Sequence, residues 1–87
     1  MTGLGSLTTG AVRFLDYLAA ERGREWSRRW AVADACKICD RSAFRAVRSL
    51  SAFGLVEVDP RRGTVWIRVT DLGISLMAAR YRSESAA

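Results

Sequence analysis

The sequence predicts a small, mainly α-helical fold carrying one β-hairpin (α+β), in the order helix, helix, basic helix, hairpin, helix. Three observations carry that expectation. Apolar residues recur at helical spacing in four stretches: Ala11 to Leu18, Trp30 to Cys36, Ala43 to Leu50 and Leu72 to Tyr81. The third stretch also sets Arg41, Arg45 and Arg48 at i, i+4 and i+7, a basic line on a second face of the same helix. Between the third and fourth stretches, two short alternating segments flank the turn-forming run DPRRG.

At 87 residues the chain is expected to form one domain, with a core large enough to fold and little to spare. Apolar residues make up 49% of it, but no run approaches the ~18 needed to cross a bilayer, so no membrane partner is expected. The start, MTGLGSLTTG, has neither a basic leader nor a long apolar stretch, and a cytoplasmic location follows as the expectation. The net charge is +5, and Lys37 is the sole lysine beside thirteen arginines. So basic a small chain favours a polyanionic partner. There is no histidine, which removes the commonest general base and metal ligand. The carboxylates are scattered and no serine has an evident base, so neither an enzyme nor a cofactor is expected.

Residues 1–8 read as a flexible, Gly-rich N-terminal arm. Thr8 or Thr9 can cap a first helix that runs to about Arg22 and stops at Gly23. Its apolar set is broad, since Val12, Tyr17 and Ala19 widen the stripe of Ala11, Phe14, Leu15 and Leu18. Such breadth implies a second contact, with a neighbouring helix or a second subunit, or a face wholly absorbed in the domain core. Ser27 is the expected N-cap of a second helix from Arg28 to Cys36, with Trp30, Val32, Ala33 and Cys36 turned inward. Trp26 and Trp30 read as core anchors rather than a platform for stacked bases.

The turn KICD follows, with Ile38 as an apolar plug and Cys39 or Asp40 as the next cap. Cys36 and Cys39 form a CxxC, yet two thiols supply only half the ligands of a zinc site, and no thioredoxin-like βαβ setting surrounds them. They read as a core cysteine and a cap or helix-contact cysteine, with no metal site.

The third helix is expected over residues 41–53, with Ala43, Val47 and Leu50 inward. Ser42 and Ser49 border the line of Arg41, Arg45 and Arg48, and no acidic residue interrupts it after Asp40. A solvated charged face ordinarily mixes signs, whereas arginine's planar fork suits guanine and phosphate. Phe44 falls between the faces, as a core residue or a contact for a thymine methyl. Gly54 ends the helix. Leu55 to Asp59 and Thr64 to Val69 form the hairpin, with Arg61 and Arg62 at its tip, positioned to grip a phosphate backbone. Thr70 caps a last helix from Asp71 to about Arg82, and residues 83–87 read as a frayed tail. Leu72, Ile74, Leu76, Met77 and Tyr81 give this helix more than one apolar face.

This order of elements resembles a winged helix-turn-helix domain over about Thr9 to Arg82. VADACKI resembles the second-helix pattern of an Ala before an apolar plug. RSAFRAVRSLSAFGLVEVD resembles a recognition helix with its LxxxGLV exit and first wing strand, and VTDLGISLM is similar to the T-x-x-G-x-x-L that opens the last helix of MarR-like and PadR-like transcription regulators. Those families are dimeric DNA-binding proteins. The resemblance implies groove-facing positions at Arg41, Ser42, Arg45, Arg48 and Ser49, and wing-tip positions at Arg61 and Arg62. Lys37 stands where the turn often has Gly, and no segment is left for a dedicated effector pocket, so no small-molecule effector is expected. The expectation is a homodimeric transcription regulator that binds double-stranded DNA, sequence-specifically or semi-specifically. Its recognition helix, 41–53, would lie in the major groove and its wing, 59–64, on the backbone. Phe14, Tyr17, Leu18, Leu76, Met77 and Tyr81 are the candidate dimer interface. The alternative is a docking module of a transcription or chromatin assembly without direct base readout.

Overall fold

Helix caps and apolar spacing set the frame. The structure, a computed structural model, describes residues 7–59, 61–62 and 65–86, without the side chains of 83–86. Helix α1 spans Thr9–Tyr17. The Thr8 hydroxyl caps it, accepting from the Ala11 N–H at 3.2 Å. Leu7 packs against the core. Leu7 and Thr8 are thus part of the domain, and the rest of the expected arm, residues 1–6, lies outside the described residues. The helix continues as a π-helical turn, Leu18–Arg22, which ends at Gly23 with φ 55° and its N–H donated to the Leu18 carbonyl at 2.9 Å. The positive φ explains the stop at Gly23.

Ser27 is not a helix cap. With Arg28 it forms a two-residue strand, β1 (Ser27–Arg28), pairing Ser27 with Ile67 and Arg28 with Trp66. Its hydroxyl is buried and accepts from Arg22 Nε at 2.8 Å. Helix α2 therefore starts later, at Arg29, and ends at Cys36. Its first N–H, from Arg29, goes to the Val65 carbonyl at 2.7 Å, so a strand serves in place of a side-chain cap. Residues 32, 33 and 36 form the buried stripe, and Trp30 lies off it, 54% exposed, contrary to the inward position expected. Lys37 closes α2 in the left-handed conformation (φ 59°, ψ 44°), the geometry glycine usually supplies at this point. Ile38 packs against the core as the plug of the turn.

Helix α3 spans Asp40–Ala52, within one residue of expectation at each end. Gly54 follows with φ 74°. Strands β2 (Val56–Val58) and β3 (Trp66–Val69) pair antiparallel, Val56 with Val69 and Val58 with Ile67, in a sheet of order β1-β3-β2. Alternation sends Val56, Ile67 and Val69 into the core and leaves Arg28, Glu57, Trp66 and Arg68 on the outer face.

Helix α4 runs from Asp71 past the expected end at Arg82 to Ala86, since SESA contains no helix breaker; Ala87 lies outside the described residues. Thr70 ties its start to the α3 exit, accepting from the Gly73 N–H at 3.1 Å and donating to the Gly54 carbonyl at 2.6 Å. Helix α1 packs against α2, α3 and α4. Burying a side chain such as Phe14, Leu15, Leu18 or Met77 stabilises by about 1.5–3 kcal/mol.

Candidate nucleic-acid interface

The core side of α3 decides what its opposite side can do. Ala43, Ala46, Val47 and Leu50 are buried, and the two alanines let the helix sit close to α1 and α2. Helical spacing then turns Arg41, Arg45 and Arg48 away from the core, with Ser42 and Ser49 beside them, and all five are exposed. Five arginines elsewhere pair with carboxylates: Arg22 with Glu25, Arg24 with Asp71, Arg29 with Asp40, Arg62 with Asp59 and Arg68 with Glu57. Among the described residues, Arg41, Arg45 and Arg48 have no such partner. Asp40 offsets the helix's positive end in the first turn.

The hairpin tip is organised by Asp59, a buried carboxylate. One oxygen accepts the Arg61 N–H at 2.9 Å and the other lies 3.4 Å from Arg62 Nε. Arg62 also lies over the Trp66 ring, 5.1 Å from its centre, while Arg61 points its exposed side chain outward. Pro60, Gly63 and Thr64, the other residues of the expected wing 59–64, lie outside the described residues.

A second basic group, not among the expected site residues, lies beside the tip. The Arg28 guanidinium is 4.9 Å from the Trp66 ring centre and 5.7 Å from that of Trp30. Cation–π contacts of this kind contribute about 0.5–1 kcal/mol each at exposed sites and hold the charge in place. Arg29, inward of it, reaches both Asp40 at 3.5 Å and the Phe44 ring at 5.5 Å, which couples the start of α2 to the start of α3. The run RRW was a signal for this group, but only pairing of Arg28 with Trp66 across the sheet makes it a site. Trp26 carries the Arg68 guanidinium at 4.4 Å, so each of the three Trp rings has an arginine over it.

The CxxC separates into two unlike thiols. Cys36 is buried, its carbonyl accepts from Arg13 at 2.6 Å, and burial pushes its thiol above the ordinary range. Cys39 is exposed at the α3 N-cap, with its Sγ 3.3 Å from Ser42 Oγ; hydrogen bonds from the Ser42 side chain and backbone favour the thiolate and lower its pKa. Both are free. Among the described residues, no three or more His, Cys, Asp or Glu side chains gather as a metal site would require.

The six expected dimer residues fall into two groups. Phe14 and Leu18 are 0% exposed and Met77 2%, because α1 is the central helix and α4 closes over it. These three belong to the core of the domain, a correction to the expected interface. Tyr17 and Leu76 are half-buried at the surface, and Tyr81 is exposed, its hydroxyl donating to Asp16. No helix among the described residues is long and apolar enough to cross a membrane.

No protein-family model matches the chain, and no curated protein matches it in sequence. Among solved structures, that of a MarR family regulator from Neisseria meningitidis is similar over 94% of this chain, with a TM-score of 0.70 at 16% identity. The chain spans 58% of the length of that structure. The fold is therefore a winged helix like that of the MarR regulator, with β2–β3 as its hairpin.

Proposed function

We propose that the protein binds double-stranded DNA and acts as a transcription regulator in the cytoplasm, by binding rather than catalysis. In this reading α3 enters the major groove with Arg41, Ser42, Arg45, Arg48 and Ser49 toward the bases. Arg61 and Arg62 of the wing hold the flanking backbone, joined by Arg28. The observation that carries the proposal is the contrast among the arginines: those on α3 face solvent without a carboxylate, while five others are paired. A face meant only for solvent gains from mixed signs; an unmixed one concentrates positive potential for a polyanion. The likeness of fold to a regulator is in keeping with this.

The test is a selection of duplexes from a random pool, followed by affinity measurements over a range of salt. Arg45→Ala or Arg48→Ala is expected to weaken the selected duplex by ~1–3 kcal/mol and to relax preference at one base pair. Arg61→Ala is expected to weaken all duplexes alike and to reduce the salt slope by about 1. Affinity that ignores both salt and these substitutions would overturn the proposal.

A further inference from the structure

We infer that Phe44 and Arg48 together read a 5-methylpyrimidine next to a guanine, the methyl being that of thymine or of 5-methylcytosine. The inference rests on the duplex-binding reading and names a specificity element within it. Phe44 is 45% exposed on a helix whose inward positions are already filled by Ala43, Ala46, Val47 and Leu50. A phenyl ring turned to water loses the stabilisation that burial would provide. Its position is outside the core, along one side of the basic face. Helical geometry sets it one turn before Arg48 and three residues after Arg41, on the wing side of the line of arginines.

The ring is held in place. The Arg48 guanidinium lies 6.0 Å from its centre and the Arg29 guanidinium 5.5 Å. Arg29 is itself largely buried, with Asp40 at 3.5 Å, and its backbone N–H is committed to β3's approach at Val65. Beyond the ring, an open groove of about 430 Å³ runs between α3 and β2, lined by Val47, Ala52 and Val58 among others. Phe44 is therefore an apolar, positioned surface at the edge of a face otherwise made of hydrogen-bond donors.

The chemistry of the major groove then selects the partner. A base pair presents one apolar group there, the C5 methyl of thymine, and 5-methylcytosine carries the same group at the same place. Guanine presents N7 and O6, which match the forked donors of Arg48. Two side chains one helical turn apart and in mutual contact meet bases that are also neighbours, so methyl and guanine fall in one step.

The experiment uses the full chain and the tightest duplex selected from the random pool. Each thymine in turn is replaced by deoxyuridine, which removes only the methyl. At one thymine adjacent to a guanine, the wild type should bind about three- to fivefold more weakly without the methyl, the scale of withdrawing one methyl from apolar contact. In a duplex with cytosine at that position, 5-methylation should strengthen binding by a similar factor, and the size of the two effects tells which base is preferred. Phe44→Ala should bind the methylated and unmethylated duplexes equally, while Phe44→Leu, which keeps an apolar side chain, should retain the difference. Arg48→Ala should lose preference for the guanine. Tight duplex binding that is indifferent to every methyl overturns this inference alone, as does a methyl effect that persists in Phe44→Ala. Absence of salt-dependent duplex binding overturns it together with the reading beneath it.

Discussion

Two residues in the turn region show how local environment changes chemistry that the sequence leaves equal. Cys36 and Cys39 are three residues apart, but burial raises one thiol and hydrogen bonds from Ser42 lower the other. The thiolate is the nucleophile, so iodoacetamide at neutral pH is expected to modify Cys39 well before Cys36. Ser42→Ala should move the pH midpoint of Cys39 alkylation upward, because it removes the largest cause of the depressed value. Mass spectrometry of the two peptides reads both outcomes; equal labelling would contradict the assignment. Between them, Lys37 holds a left-handed conformation with φ 59°. A side chain there costs about 1–2 kcal/mol, against ~0.5–1 kcal/mol of extra chain entropy for glycine. Lys37→Gly is accordingly expected to stabilise the domain by about 0.5–1 kcal/mol in urea denaturation, and Lys37→Val to destabilise it.

At the scale of elements, the TDLG run that begins the last helix acts as a joint among α3, β2, β3 and α4. A Cβ added at Gly73 would lie 2.4 Å from the Leu55 carbonyl oxygen and 2.6 Å from Val69 Cγ2. The first neighbour is backbone and cannot give way cheaply. Gly73→Ala is expected to cost ~1–3 kcal/mol or more by overpacking. Thr70→Ala should cost ~0.5–2 kcal/mol through the lost cap and leave the Gly54 carbonyl without the hydroxyl it accepts from. Thermal or denaturant unfolding of the two variants checks this, and a Gly73→Ala protein as stable as the parent would mean that α4 sits farther from β3 than described.

For the whole molecule, the Cα radius of gyration is 12.1 Å, close to the ~12 Å of a compact domain of this length, yet the extents of 40 × 25 × 23 Å are elongated. Helix α4 is the longest element, and Leu72 and Leu76, one turn apart, lie at its surface. With Phe14, Leu18 and Met77 committed to the core, Tyr17, Leu76 and Tyr81 remain as candidates for a homodimer contact, with the exposed Leu72 beside them on α4. Light scattering is expected to give twice the 9.6 kDa chain mass, and Leu76→Glu to return a folded monomer with weakened affinity for inverted-repeat duplexes. A wild-type monomer at micromolar concentration would rule out the homodimer expected from the sequence and leave duplex binding to a single domain.

Sequence alone determined the features that depend on spacing within one element. The four helices, the hairpin, the stops at Gly23 and Gly54, the Thr70 cap and the outward line of Arg41, Arg45 and Arg48 were all legible, because periodicity and capping are local properties. What lies opposite a given face is not local. The strand β1 has two residues and no periodic signal, and exists only through its bonds to β3; with it went the expected Ser27 cap and the inward Trp30. The broad apolar set on the first helix was visible, but only packing against α2, α3 and α4 assigned Phe14 and Leu18 to the core of the domain. The same packing decided the candidate site: it set Arg28 against Trp30 and Trp66, paired five of the arginines outside α3 with carboxylates, and left Phe44 exposed beside the three on α3 that have no carboxylate partner.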